Sequence, residues 1–166
     1  MEHDLLITDR FDAVAMLRDP ALGAHIQHVL SIGDPGQEPP AGFEQHPARK
    51  IYLQFHDIDM APGGPWASLF RAPDETHAAA IIEFSREISG PLLVHCQAGI
   101  SRSTAAAALI LAARTLPGQE EEVARRVKTV RPQAWPNRLL VGLGDDLLGR
   151  RGALLSAVIR ICYGAL

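Results

Sequence analysis

Cysteine is scarce in this sequence: Cys96 and Cys162 are the two in 166 residues. Two thiols cannot make a disulfide framework. No apolar stretch reaches the length of a membrane-spanning helix. The opening MEHDLLITDRFD is acidic and lacks the apolar centre of a signal peptide. An excess of one charge is missing too, with 16 Lys and Arg against 19 Asp and Glu, a net charge of −3. That balance gives no reason to expect a nucleic-acid or membrane partner. The seven histidines show no metal-ligand spacing. There is no internal repeat and no dividing linker. What remains is a chain 47% apolar and 21% charged, of a length suited to one globular domain spanning 1–166 with a real core.

Turn residues cut the chain into strands and helices. Leu5–Thr8 reads as a short strand. Phe11–Arg18 reads as a helix, with Phe11, Val14, Ala15 and Leu17 at helical spacing. After the punctuation of Pro20 and Gly23, His25–Gly33 is a strand that closes on Gly33-Asp34-Pro35-Gly36. Residues 34–49 form a proline- and glycine-rich loop. Lys50–Ile58 alternates Ile51, Leu53 and Phe55 with Tyr52, Gln54 and His56, a third strand. Residues 61–73 are a long loop, of a kind usually functional or mobile. Trp66 within it is expected to pack the loop down rather than contact substrate. A helix opens at Pro73-Asp74-Glu75 and runs to about Ile88. Pro91–Cys96 is the central strand, and Ser101–Leu116 the helix after it. Helices at Glu120–Val130, Arg138–Leu148 and Ala153–Tyr163 complete the chain.

The lead-in is therefore 1–50, the strand–loop–helix unit 91–116, and the closing helical segment 119–163. This order predicts an α/β domain. Its central, mostly parallel sheet of four or five strands is flanked by helices, with the ligand at the strands' carboxyl ends.

The most informative stretch is HCQAGISRS at 95–103. A cysteine and an arginine bracket Gln97, Ala98, Gly99, Ile100 and Ser101, between the buried-strand run Leu92-Leu93-Val94 and a helix rich in alanine. A tight loop at a helix N-terminus turns its backbone N–H groups toward one point and makes an anion site. A thiol at the floor of that site feels the helix dipole and a guanidinium, both of which favour thiolate. Arg102 offers a planar fork matched to two phosphate oxygens.

This stretch resembles the phosphate-binding loop of the cysteine-dependent protein tyrosine and dual-specificity phosphatases, whose signature is His-Cys, five residues, Arg, then Ser or Thr. Every position is present, as His95, Cys96, Arg102 and Ser103, and Gly99 falls where that loop carries glycine. The resemblance implies a phosphotyrosine-phosphatase-like fold and hydrolysis of phosphomonoesters through a phosphocysteine intermediate. It implies no metal and no cofactor. Cys96 is then the nucleophile. Residues 97–102 hold the phosphate, and Ser103 helps the sulfur leave. His95 orders the loop rather than moving protons.

The chemistry also needs a carboxylate that can reach the loop as acid and then base. The end of the strand Lys50–Ile58 offers Asp57 and Asp59. Asp57 is favoured, because Asp57-Ile58 resembles an Asp-Ile pair in a group of predicted bacterial tyrosine phosphatases. Asp59 stays open. Arg131-Pro132 and Pro136-Asn137 resemble the family's segment beside the catalytic loop. Asn137 is thereby a support and Arg131 a buried structural cation. Trp135 is expected in the core or at the rim, and Cys162 as inert core.

Phosphorylated protein, phosphotyrosine first and dual specificity second, or a small phosphomonoester is the expected partner. A catalytically silent phosphate-binding module would lack nucleophile or acid, and both are present. An arsenate or sulfur-transfer enzyme would want a resolving cysteine near Cys96, for which Cys162 is the one candidate. A reactive thiol must stay reduced, which points to the cytoplasm.

Overall fold

The computed structural model describes residues 5–60, 63–65 and 67–164. Four strands form one sheet: β1 (Leu5–Thr8), β2 (His28–Gly33), β3 (Arg49–Gln54) and β4 (Leu92–His95), in the order β1-β4-β2-β3. Every pairing is parallel. The expectation of four or five mostly parallel strands thus resolves to four, all parallel, among the described residues.

The helices are α1 (Arg10–Arg18), α2 (Pro20–Gly23), α3 (Glu75–Ser85), α4 (Arg102–Ala113), α5 (Glu120–Val130), α6 (Arg138–Leu147) and α7 (Ala153–Cys162). A short 3-10 turn covers Ala67–Leu69. None of these helices is long and apolar enough to cross a membrane. Trp66, expected to pack its loop down, lies outside the described residues.

Parallel strands need crossovers, which bring helices over both faces of the sheet. Alternation along the strands then feeds two cores. Val29 and Leu93 pack with Ala13, Leu17, Ile26 and Phe43 on the α1 face. Ile7, Leu30 and Val94 join the larger core under α3, α4, α6 and α7. Helix α4 lies at its centre. Ala105 through Ala108 are fully buried, and small side chains let neighbouring helices come close.

Several boundaries differ from the sequence reading; α3 ends at Ser85 rather than about Ile88, and α4 runs over Arg102–Ala113 rather than Ser101–Leu116. β2 starts at His28 rather than His25, because Gln27 and His28 first donate to the Pro91 carbonyl and the ladder begins there. β3 stops at Gln54 rather than Ile58. Phe55 N–H still donates to Gly33, the last residue of β2, but the His56 N–H turns to the Arg71 carbonyl. The chain thus leaves the sheet before the two candidate aspartates. Finally, Pro20 is the first residue of the short α2, whose N-cap is Asp19, rather than mere punctuation.

Candidate active site

β4 ends at His95 and α4 begins at Arg102, so residues 96–101 form the loop at the carboxyl edge of the sheet. The carbonyls of residues 97 to 101 are each engaged. Gln97 O accepts from Arg10 N at 3.2 Å, and Ala98 O and Gly99 O accept from the Arg131 guanidinium at 3.4 and 3.0 Å. Ile100 O accepts from Trp135 N at 2.9 Å, and Ser101 O from Asn137 N at 3.2 Å. Thr104 Oγ1 donates to the last two as well.

With no cis peptide among the described residues, each carbonyl turned outward puts the next residue's N–H on the opposite side, toward the hollow of the loop. The amides of 98–102 are set this way. The Cys96 carbonyl lies 3.4 Å from His95 Nδ1, which does the same for Gln97 N–H. Among the described residues, none of the amides of 97–101 has a protein acceptor. The arrangement is a ring of donors.

Gly99 is required by the turn. Its φ is +67°, and a Cβ there would stand 2.5 Å from the Thr8 carbonyl group, on which the loop rests.

At the floor, Cys96 is 2% exposed, with Sγ 3.3 Å from Ser103 Oγ. Arg102 is 4% exposed. Its Nη1 donates to Asp34 Oδ1 and to the Phe55 carbonyl, both at 2.7 Å, while Nε is buried without a protein partner. His95 is fully buried. Burial pulls its pKa down to about 4, the Arg10 charge adds to that, and the Cys96 backbone and Asp9 pull it back up. The imidazole is therefore neutral at pH 7.

Asp57 stands exposed at the mouth. Its Oδ1 accepts from Ser101 Oγ at 2.6 Å and from Asn137 Nδ2 at 2.9 Å. Ser101 occupies the N-cap position of α4 but makes no side-chain cap bond, its hydroxyl being committed to Asp57. Asn137, fully buried, also donates to Ile58 O and caps α6 by accepting from Leu140 N. It is helix start and loop support at once. Asp59 is turned elsewhere. It accepts from the backbone N–H of Arg138, the first residue of α6, and pairs with Arg138 Nε at 2.5 Å.

The structure thus brings Cys96, the loop 97–101, Arg102, Ser103, Asp57, His95 and Asn137 together. Arg131 is half-buried rather than buried and grips the loop carbonyls directly. Trp135 is a rim residue, 51% exposed, its ring 3.9 Å from that of Tyr163. Cys162 is buried, and burial pushes its thiol up; both cysteines are free.

Residues the sequence reading missed are Asp34, which holds Arg102, and Arg10 and Thr104, which hold the loop. Gln37, whose Nε2 lies 3.4 Å from Gln97 Oε1, is another. Asp34 had one sequence signal, its place in the Gly-Asp-Pro-Gly turn closing β2. That signal points to a turn and says nothing of an arginine 68 residues away.

Comparison with known proteins agrees with this geometry. No curated protein sequence matches the chain. The fold is similar to that of human DUSP28, with a TM-score of 0.59 at 22% identity over 90% of this chain and 94% of that one. It is also similar to the Yvh1 phosphatase domain from Chaetomium thermophilum, TM-score 0.57 at 20% identity over 91% and 94%. A mouse putative dual specificity phosphatase, complexed with zinc tungstate, gives 0.57 at 21% over 90% and 85%. These likenesses establish the fold. A family model described as Protein-tyrosine phosphatase matches residues 63–136, a span that contains the entire loop and its arginine. That match and the complete signature make the chain similar, over this span, to the cysteine-dependent protein tyrosine and dual-specificity phosphatases.

Proposed function

We propose that the chain hydrolyses phosphomonoesters by way of a phosphocysteine, with phosphotyrosine protein as the first substrate class and dual specificity as the second. Cys96 Sγ attacks phosphorus, and the bond from phosphorus to the ester oxygen breaks. Asp57, protonated, gives its proton to that leaving oxygen. The Asp57 carboxylate then takes a proton from water as the water oxygen attacks phosphorus and the S–P bond breaks. Ser103 donates to the departing sulfur from 3.3 Å. The amides of 97–102 and the Arg102 guanidinium carry the charge on the three equatorial oxygens throughout.

The observation that supports this most strongly is the outward engagement of the carbonyls of residues 97 to 101. It turns successive amides onto one anion beside a sulfur. The choice of Asp57 over Asp59 rests on their partners. Asp57 is tied to the loop through Ser101, whereas Asp59 is spent on Arg138 and the start of α6.

The test is Cys96→Ser. It should abolish hydrolysis of p-nitrophenyl phosphate while vanadate binding stays measurable, because the anion site is backbone and Arg102. Substantial turnover by a Cys96→Ser protein free of contaminating phosphatase would end the cysteine mechanism.

A further inference from the structure

Buried polar atoms without partners are rare in folded proteins, and each one calls for an explanation. Three of those in this molecule fall in one row: Thr8 Oγ1, Ser31 Oγ and His95 Nε2. Strand register accounts for all three. Thr8 of β1 and Ser31 of β2 are the Cα partners of His95 on its two sides. Registered neighbours point to the same face, and adjacent strands lie about 4.8 Å apart. Two hydroxyls therefore flank one imidazole in a single row. Thr8 is 7% exposed, and Ser31 and His95 are fully buried. The row lies on the α1 face, the face of Leu93 and Val29, directly beneath the catalytic loop, since Gly99 rests on the Thr8 carbonyl.

The two nitrogens of His95 are not equivalent. Nδ1 faces the Cys96 carbonyl at 3.4 Å, and a carbonyl can only accept. The proton must then sit on Nδ1, which makes Nε2 an acceptor that needs a donor. Thr8 and Ser31 each carry a rotatable O–H. Neither bonds to Nε2 directly, and a buried polar site with several unpartnered groups is where a water is held. The charged groups that face the ring from α1 and its N-cap are Arg10 and Asp9.

We propose that Thr8 and Ser31 are positioning residues for the phosphate loop. Through a bridging water they supply the donor for His95 Nε2, and so fix the imidazole with Nδ1–H toward the Cys96 carbonyl. The consequence reaches the anion site through one peptide unit. With the Cys96 carbonyl held toward His95, the Gln97 N–H on the same peptide points into the loop. The opposite tautomer would set a nitrogen lone pair against that carbonyl and tilt the first amide of the ring away. The effect on catalysis rests on the function proposed above, but the effect on the tautomer does not.

The experiment reads the imidazole nitrogens by 15N NMR in the full chain, with the His95 signals identified by their loss in His95→Asn. Wild type should show the Nδ1–H form. The pair Thr8→Val and Ser31→Ala should shift the population toward Nε2–H and weaken vanadate binding. The loss should be roughly three- to tenfold, the worth of one intramolecular hydrogen bond. Thr8→Ser and Ser31→Thr, which keep the hydroxyls, should restore both. If the double variant does not fold, Ser31→Ala alone gives the same readout at half strength. An Nε2–H tautomer in wild type, or an unmoved Nδ1–H form in the folded hydroxyl-free variants, overturns the proposal. Absence of phosphatase turnover in wild type would count against the proposed function and leave the tautomer result standing.

Discussion

Ser101 Oγ donates a hydrogen bond to Asp57 Oδ1 at 2.6 Å, joining the start of α4 to the segment that follows β3. A serine at an N-cap ordinarily bonds its own helix. Here it holds a carboxylate over the loop. General-acid help matters most for a poor leaving group, and tyrosine's phenol, with a pKa of about 10, leaves less readily than p-nitrophenol. Asp57→Ala should therefore slow hydrolysis of phosphotyrosine more than that of p-nitrophenyl phosphate. Asp59→Ala should leave that ratio at its wild-type value. It should instead lower the urea midpoint, because it removes a helix-start acceptor worth about 1 kcal/mol. Steady-state rates on both substrates decide the matter. An exchange of phenotypes would make Asp59 the acid.

Arg102 is set by Asp34 and Phe55 before any phosphate arrives. Arg102→Lys keeps the charge but cannot both hold these two acceptors and present a planar fork. A loss in kcat of at least about 10²-fold is expected, the cost of removing a transition-state donor. A loss below about fivefold would show that the guanidinium does not lie on the phosphate.

The loop and the helix after it were legible because their signal is local. Gly90-Pro91, an apolar run, nine residues of signature and a polyalanine helix stand in one stretch. The end of β3 was not. Alternation continued through Phe55 and His56, but a strand needs a partner as well as a pattern, and β2 ends at Gly33. Asp34 and Arg10 escaped for a similar reason. Their roles come from the strand order β1-β4-β2-β3, which sets the ends of β1 and β2 on either side of β4. Nothing in their immediate neighbours encodes that order. Arg131 and Asn137 were found only through resemblance, and their bonds to the loop and to Asp57 are physical facts of the fold.

Gly99 offers a sharp test of the loop. An alanine there must hold a left-handed backbone, at about 1–2 kcal/mol, and must also push against the Thr8 carbonyl. Gly99→Ala should lower the urea midpoint and weaken vanadate binding together. Gly118, at φ +97° with open space around it, is the control. Gly118→Ala should cost stability alone and leave vanadate affinity unchanged. Equal vanadate affinity in the two variants would mean that the loop does not depend on contact with β1.

Iodoacetate should modify Cys96 and spare Cys162, whose thiol burial holds in the protonated form. Phosphate should protect Cys96, and activity should survive EDTA, because nothing in the proposed steps uses a metal. Peptide mapping after partial inactivation gives the site. Inactivation that tracks modification of Cys162, or a loss in EDTA restored by added metal, would contradict the assignment.

His95 ties the site to the stability of the whole chain. Its ordinary pKa of 6.5 falls to about 4 in the folded protein, chiefly through burial. Between those two values the unfolded chain binds the proton that the folded chain refuses. Stability from this group is therefore complete above pH 6.5 and is lost as the pH falls through 6.5 toward 4. Over the full window the loss is about 3 kcal/mol, at roughly 1.4 kcal/mol for each unit. His77 is also lowered by burial, so acid sensitivity of the wild type alone does not isolate His95. The difference between wild type and His95→Asn does, because His77 is common to both. His95→Asn should be less stable than wild type at pH 7. The gap in urea midpoints should close steadily on going to pH 4.5. Curves that run parallel from pH 7 to 4.5 would mean that the imidazole takes up its proton in the folded state as easily as in the unfolded one.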